Sequence, residues 1–252
     1  MKNVIVVATH KEYPMPSDPL YLPVQAGRAL GAPLPYVGDD SGENISGKNR
    51  SFCELTCLYW AWKNLTGADA VGLCHYRRYL AGRRGGRGFS RILTGPQVGA
   101  LLKTAPVLLP KKRNYFIETG YSQYVHAHHE EDLLETRKIL EERCPEYVAA
   151  FDRTLSRTRG HRFNMFVMRR DLLERYCAWL FSVLFELEKR LDISAYSDYD
   201  KRVFGFVAER LLDVWLETCK IPYRELPVLH LESQHWVKKG TAFLKRKFRG
   251  RK

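Results

Sequence analysis

The amino-acid sequence predicts an α/β fold, in which a mostly parallel, mixed sheet forms a single domain with helices on both faces. Short apolar runs that suit buried strands alternate along the chain with segments of helical periodicity. Hydrophobic residues make up 45% of the 252 residues, which allows a sizeable core and argues against disorder. No apolar run approaches the ~20 residues that a membrane-spanning helix needs.

The strands of this sheet are predicted from short uncharged runs bounded by turn formers. They cover residues 3–8, 70–74, 105–109 and 163–168, with a last strand inside residues 222–231. The proline-rich residues 13–35 are predicted to be extended or irregular.

Helices are predicted where apolar residues recur at steps of three and four. They cover residues 51–64, 94–103, 126–143, 171–190 and 204–218. In the first of these, Ser51 and Glu54 form a capping-box pattern. The single domain is predicted to span residues 1–235.

The last segment, residues 236–252, is predicted to be a basic amphipathic helix that associates with a membrane. Residues 237–252 contain eight Lys/Arg and no acid, in a chain of formal net charge +13. Apolar residues recur among these charges, a pattern that favours the interface of an anionic bilayer. The residues expected to contact lipid are Trp236, Phe243, Lys245, Arg246 and Phe248. A disordered basic tail and a nucleic-acid-binding arm are the alternatives.

Polar and basic residues directly follow three of the predicted strands. Thr9, His10 and Lys11 follow the first, residues 75–78 (HYRR) follow the second, and residues 111–113 follow the third. Ligands of open α/β sheets bind outside the carboxyl ends of strands, so these groups are expected to line one pocket. Because guanidinium groups donate paired hydrogen bonds to phosphate, the pocket is predicted to bind a nucleotide or sugar phosphate. Solvated basic loops are the alternative interpretation.

Two further features carry groups that suit acid–base chemistry. Residues 126–132 (HAHHEED) combine three imidazoles and three carboxylates, which favours proton transfer or metal binding. The alternative is a helix start whose acids complement the helix dipole. Glu209 lies on an apolar helix and is either a catalytic base or a partner in an ion pair.

Several functional classes are disfavoured by missing motifs. No GxGxxG follows the first strand, and neither GxxxxGK[ST] nor GxSxG occurs. The six cysteines form no CxxC pair and are interpreted as core thiols in a reducing compartment. The amino terminus lacks a signal-peptide pattern, so a cytoplasmic location is expected.

Six blocks of sequence resemble a bacterial family first catalogued as a domain of unknown function. The family is associated with glycosyltransferases of capsular polysaccharide, exopolysaccharide and O-antigen synthesis. The blocks are THKEY, DDSGENISGKNRSFCELTCLYWAWKN, VGLCHYRRYL, HHEEDL, FNMFVMRRDLLERYCAWLF and GFVAERLLDVWL. The resemblance extends from about residue 3 to residue 231, and residues 44–79 are its most specific part.

This resemblance implies a GT-A-like fold and a peripheral enzyme on the inner face of the bacterial plasma membrane. The implied reaction transfers a sugar from a UDP-sugar to a lipid-linked oligosaccharide, with galactose, as pyranose or furanose, the favoured sugar. The turn DDSGENIS is also similar to the nucleotide-contacting turn of the galactosyltransferases of lipooligosaccharide synthesis.

The resemblance also implies roles for individual residues. The nucleotide sugar is expected to contact Thr9, His10, Lys11, Asn44, Ser46, Lys48, Asn49, His75, Tyr76, Arg77 and Arg78. Asn164 is expected to face the sugar or the acceptor. The candidate bases for the acceptor hydroxyl are Glu209, His128 and Asp132, in that order.

No metal ligand is predicted, and a divalent metal (Mn or Mg) is left open as a cofactor. GT-A enzymes usually keep a metal-binding DxD at the end of the central strand, where this sequence has HYRR. Asp198–Tyr199–Asp200 has the DxD form but lies in a polar loop, so it is interpreted as a chance match.

The alternative function is a non-catalytic protein that binds an anionic polymer, either nucleic acid or polysaccharide. Because the aromatic residues fall in core-like helices and form no stacking platform, nucleic acid is not the expected partner. A phosphate-ester hydrolase that uses the HHEED cluster with a metal is a weaker alternative.

Overall fold

The structure is a computed structural model that describes residues 2–82 and 86–232. The five residues predicted to contact lipid, Trp236, Phe243, Lys245, Arg246 and Phe248, lie outside the described residues. Within the described part of the chain, no helix is both long enough and apolar enough to cross a bilayer.

Strands and helices alternate along the chain as the sequence predicts. The strands are β1 (Asn3–Thr9), β2 (Tyr21–Gln25), β3 (Val37–Gly38), β4 (Ala70–His75), β5 (Arg78–Leu80), β6 (Val107–Pro110), β7 (Arg113–Asn114), β8 (Arg159–Gly160), β9 (Phe166–Arg169), β10 (Tyr223–Leu226) and β11 (Val228–His230). The α-helices are α1 (Asn49–Phe52), α2 (Leu55–Asn64), α3 (Gly95–Leu102), α4 (Gly120–Val125), α5 (Glu130–Arg143), α6 (Val148–Ser156), α7 (Arg170–Arg190) and α8 (Val203–Thr218).

The central sheet has the strand order β10-β6-β9-β4-β1-β2-β3, and β5 joins it by pairing with β4 and β11. β1 runs parallel to both β2 and β4, whereas β9 runs antiparallel to both β4 and β6. The carboxyl ends of β1, β4 and β6 therefore lie at the same edge as the amino end of β9. This topology confirms the predicted mostly parallel, mixed sheet.

Both faces of the sheet are buried, because alternate side chains of each strand enter different cores. On β1, Val6 and Ala8 belong to one core, with residues of α2, α7 and α8. Ile5 and Val7 belong to the other core, which includes residues of α3. This arrangement confirms the prediction of helices on both faces.

The single helix predicted over residues 51–64 is wrong, because α1 and α2 are separated at Cys53. Cys53 has a φ of 53°, in the left-handed region that interrupts a right-handed helix. The side-chain amide of Asn49 donates to the Cys53 carbonyl at 2.7 Å and supports the break. Ser51 is not the cap of α2, since its hydroxyl donates to the carbonyl of Lys48 at 3.2 Å.

Two other predicted boundaries differ from the structure. The helix predicted from residue 126 begins at Glu130, because His129 has extended backbone angles and the preceding residues close α4. The strand predicted from residue 163 begins at Phe166, because Phe163 and Asn164 have positive φ values. The proline-rich residues 13–35, predicted to be extended or irregular, contain the extended strand β2, which pairs with β1 over five positions.

Candidate functional site

A cavity of about 620 Å³ opens at the edge of the sheet where β1 and β4 end. Its other walls come from α1 and the α1–α2 junction, the loop before β9 and the start of α8. The lining residues are Ala8, Thr9, His10, Ala26, Asn49, Arg50, Cys53, Glu54, His75, Tyr76, Arg77, Arg78, Phe163, Asp198, Lys201, Arg202, Gly205, Phe206 and Glu209. The structure thus brings together eight residues that the sequence assigned to the site: Thr9, His10, Asn49, His75, Tyr76, Arg77, Arg78 and Glu209.

The HYRR sequence forms the tight turn between β4 and β5, in which His75 pairs with Arg78. The His75 Nε2 atom lies 2.5 Å from the carbonyl oxygen of Phe163, which ties this turn to the loop before β9. Tyr76 is buried, and the guanidinium of Arg77 lies over its ring at 5.3 Å. The turn therefore presents both arginines to the cavity on a fixed support.

Arg78 is the most unusual of these residues. Within the described chain its side chain has no hydrogen-bond or ion-pair partner, and its Nε atom is buried. The guanidinium lies 4.7 Å from the centre of the Phe163 ring. Burial, followed by the nearby charge of Arg77, lowers the pKa of Arg78. The guanidinium is half-buried and has no hydrogen-bond or ion-pair partner among the described residues, so this arrangement suits a site whose anion comes from a ligand.

Other cations add to the positive charge of the cavity. The Arg202 Nε atom donates to the Sγ atom of Cys53 at 3.2 Å, and Arg50 and Lys201 also line the wall. Burial and the charges of Arg77, Lys11 and Arg202 lower the pKa of His10. The imidazole of His10 is therefore largely neutral at neutral pH, and the guanidiniums set the local field.

Three carboxylates face the same cavity: Glu54, Asp198 and Glu209. Glu209 accepts hydrogen bonds from the Phe163 backbone N–H at 3.0 Å and from Arg210 at 2.9 Å. These two bonds fix the position of the carboxylate at the wall. Such a group can accept a proton from a hydroxyl in the cavity.

Asn164 lies behind the wall rather than in it. Its side-chain amide donates to the Glu54 carboxylate at 2.7 Å and to the Gly205 carbonyl at 3.0 Å. Phe163 and Asn164 have φ values of 80° and 49°, which few residues other than glycine adopt. The strained loop therefore positions both carboxylates: the side chain of Asn164 contacts Glu54, and the backbone N–H of Phe163 contacts Glu209. Asn164 acts on the cavity through Glu54.

Four residues expected to contact the nucleotide do not line the cavity. The Lys11 ammonium lies over the ring of Tyr76 at 5.3 Å, and the Lys48 ammonium pairs with Glu188 at 2.6 Å. The side chain of Asn44 bonds to backbone groups of its own turn, and that of Ser46 donates to Asp39 at 2.5 Å. The DDSGENIS turn thus supports the cavity wall near Ala26 and Asn49 from behind. Its polar side chains are already engaged.

Asp39 is the centre of this support. It is fully buried and accepts hydrogen bonds from two backbone N–H groups and two hydroxyls, at 2.5–3.1 Å. The donors are Gly27, Arg28, Ser46 and Thr56. One carboxylate therefore joins the loop after β2, the turn before α1 and helix α2.

We expect the Asp39→Ala substitution to lower the free energy of unfolding by about 3 kcal/mol or more, because four donors lose their acceptor. Urea denaturation measures this change. Asp40→Ala is the matched control, since Asp40 is exposed and only 3.9 Å from Arg28, and should cost less than ~1 kcal/mol. Equal losses in the two variants would contradict the role of Asp39.

The other two candidate bases, His128 and Asp132, are not brought to the cavity. Asp132 is buried and accepts hydrogen bonds from Tyr124 at 2.7 Å and Tyr196 at 2.9 Å, and burial raises its pKa. His128 packs against Phe206, with ring centres 4.2 Å apart, and burial lowers its pKa. Both residues hold α5 against neighbouring elements. The acids at residues 130–132 occupy the first turn of α5, where they complement the helix dipole.

The basic residues 111–113 also lie outside the cavity. β6 is separated from β4 by β9, so its carboxyl end lies beyond the loop that carries Phe163. The Lys112 ammonium donates to the Tyr223 hydroxyl at 2.8 Å.

The side chains at the end of β4 do not provide the ligands that a divalent metal needs. This position carries two guanidiniums, and the His75 Nε2 atom contacts a carbonyl oxygen. Among the described residues, no group of three or more His, Cys, Asp or Glu could hold a metal ion. In the DxD-like segment, Asp198 lines the cavity, whereas Asp200 contacts Ser197 and His128.

Sequence reasoning missed several residues of the cavity wall, above all Glu54, Asp198, Lys201 and Arg202. The DxD-like form of residues 198–200 was the one local signal for this wall. Glu54 reaches the cavity through the break at Cys53, and its partner Asn164 is 110 positions away in sequence. No local pattern connects two residues so far apart.

The fold and cavity define an α/β protein with a cavity rich in cations at the carboxyl ends of two parallel strands. The model of the family described as a domain of unknown function (DUF4422) matches residues 4–220. The chain belongs to this family.

A solved structure shares the fold. The apo structure of WbbM, a bifunctional glycosyltransferase, matches with a TM-score of 0.85 and 29% sequence identity. The match covers 92% of this chain and 46% of the WbbM chain, so this chain spans about half the length of that protein. A search of curated proteins finds no significant match.

Proposed function

We propose that the protein is a glycosyltransferase that uses a nucleotide diphosphate sugar as donor. The observation that carries this proposal is the half-buried Arg78 guanidinium beside Arg77 at the end of β4, which has no hydrogen-bond or ion-pair partner among the described residues. The cavity of about 620 Å³ has the size of a small-molecule site. The similarity to WbbM, a bifunctional glycosyltransferase, supports the same class of reaction.

In the proposed reaction, the bond between the sugar and the diphosphate breaks, and the diphosphate leaves with additional negative charge. Arg77 and Arg78 stabilise that charge, because positive groups fixed in advance need no reorganisation during the reaction. Paired N–H groups of a guanidinium match the geometry of phosphate oxygens. This is the role that the two arginines would serve in place of a metal-binding DxD.

Glu209 is proposed as the base that accepts the proton of the acceptor hydroxyl. Its carboxylate lines the cavity and is held by the Phe163 N–H and by Arg210. The hydroxyl oxygen attacks the sugar carbon as its proton passes to the carboxylate, and the nucleotide diphosphate departs. Asn164 serves this site as a positioning residue through Glu54.

We propose UDP-galactose, as pyranose or furanose, for the donor and a lipid-linked oligosaccharide for the acceptor. The resemblance to families of capsule and O-antigen synthesis supports both choices. The same resemblance, with the amphipathic pattern of residues 236–252, supports a peripheral location on the inner face of the plasma membrane. Binding of the full chain to vesicles of anionic lipid tests this location.

A panel of nucleotide sugars in a thermal-shift assay tests the proposed donor. A ligand at 100 times its Kd stabilises the folded state by ~2.7 kcal/mol, so the melting temperature should rise by about 5 °C or more with UDP-galactose. Because guanidiniums face the cavity at the end of β4, we expect the same shift with manganese and with a chelator.

The pattern of shifts in melting temperature distinguishes metal-free from metal-dependent binding, and a transferase from a non-catalytic binding protein. A shift that requires manganese would overturn the metal-free binding of the diphosphate. No shift with any nucleotide, combined with salt-dependent binding of an anionic polymer, would favour the non-catalytic alternative.

A further inference from the structure

We propose that Phe116 and Ile117, called here the Phe116–Ile117 tip, insert into the surface of an anionic lipid bilayer. The tip follows strand β7 and precedes helix α4. Its side chains are 80% and 68% exposed, the highest values among the large hydrophobic residues in the described part of the chain. Two adjacent apolar side chains with this exposure are costly in water and mark a contact surface.

The backbone holds the tip outward. On one side, the Tyr115 N–H donates to the Thr158 carbonyl at 2.8 Å, and the Tyr115 hydroxyl accepts from Arg162 at 2.7 Å. On the other side, the Thr119 side chain caps α4. Phe116 itself has a φ of 61°, a conformation that a bulky residue seldom adopts. A segment anchored at both ends presents these side chains in a defined place.

Exposed cations lie on the segments that lead to the tip. Lys111, Arg113 and Arg159 are exposed, and none of them forms an ion pair within the described residues. Arg113 and Arg159 belong to the β7–β8 ribbon that leads to the tip. Apolar side chains flanked by free cations match the interface of a bilayer, where hydrocarbon lies beneath anionic head groups.

The tip lies on the side of the molecule where the cavity opens, which suits contact with a bilayer. β6 runs in the same direction as β4, so the chain that leads to the tip leaves the sheet at the edge where the cavity opens. A second copy of the protein fits this surface less well, because a symmetric contact would bring the same three cations together. An anionic lipid surface satisfies both the apolar and the charged groups.

Sedimentation of the full chain with vesicles of phosphatidylcholine, with and without phosphatidylglycerol, tests the proposal. We expect the double substitution F116S/I117S to weaken binding to the anionic vesicles about tenfold, which is ~1.4 kcal/mol. Leu134→Ser is the matched control, because Leu134 is 45% exposed on α5, and its affinity should match the unchanged protein. All variants retain residues 233–252, so any contribution of that segment is constant.

A second variant tests the charges separately. Replacing Lys111, Arg113 and Arg159 with alanine should lower affinity for anionic vesicles and flatten its salt dependence. Unchanged melting temperatures show that each variant is folded. The proposal is overturned if F116S/I117S binds as the unchanged chain does, or if the unchanged chain binds neither vesicle. Concentration-dependent self-association that F116S/I117S abolishes would assign the tip to a second copy instead.

Discussion

The Arg78→Ala substitution is expected to reduce kcat/KM for the nucleotide sugar by about 10²–10³, or ~2.7–4 kcal/mol of transition-state stabilisation. The guanidinium has no hydrogen-bond or ion-pair partner in the described chain, so its loss removes positive charge and the contact with the Phe163 ring but breaks no hydrogen bond or ion pair. Release of UDP from the nucleotide sugar, measured with a coupled assay, gives the rate.

Two further variants make this result specific to the guanidinium. Arg78→Lys keeps the charge but not the paired donors, and should recover part of the lost rate. Arg175→Ala removes a cation from the exposed side of α7, away from the cavity, and should leave the rate unchanged. Full activity in both Arg78→Ala and Arg77→Ala, with both proteins folded, would refute the phosphate-binding role.

The Glu209→Gln substitution is expected to lower kcat by about 10²–10⁴, the range for loss of a general base. The amide keeps the size of the side chain and one acceptor for the Phe163 N–H, but it cannot take the proton. UDP affinity, measured by calorimetry, should stay close to that of the unchanged enzyme. A loss of affinity equal to the loss of rate would indicate a binding role instead.

The remaining carboxylates and the buried histidine serve as comparisons. Glu54→Gln and Asp198→Asn change the other two acids of the cavity, and we expect smaller losses of kcat than for Glu209→Gln. His128→Gln should reduce stability and leave kcat largely intact, because His128 packs behind Phe206. If His128→Gln abolished turnover in a folded protein, the assignment of the base to Glu209 would fail.

The sheet and half of the cavity could be predicted because they are encoded locally. The uncharged run of β4 and the HYRR sequence after it are adjacent in the chain, and strand polarity alone places them at a ligand-binding edge. Thr9 and His10 follow β1 in the same way. For such residues, the order along the sequence determines the order in space.

The rest of the cavity depends on contacts between distant segments. The loop before β9 brings Phe163 to Arg78 and to Glu209, although neither is near it in sequence. The acids of the HHEED cluster have structural roles instead. They occupy the first turn of α5, and Asp132 accepts hydrogen bonds from two tyrosines. Side-chain chemistry alone suggested a base at Asp132. That carboxylate is buried, and both of its oxygens accept hydrogen bonds from tyrosines.

Cys53, Phe163 and Asn164 all have left-handed backbone angles at or behind the cavity wall, although none is a glycine. Each such residue costs on the order of 1 kcal/mol, so the wall is held in shape against a local preference to relax. Glycine at Phe163 would relieve part of this strain but would remove the ring that contacts Arg78, and glycine at Asn164 would remove the hydrogen bonds to Glu54 and Gly205. Substitutions that change stability at this wall should therefore be screened for their effect on the proposed transferase activity.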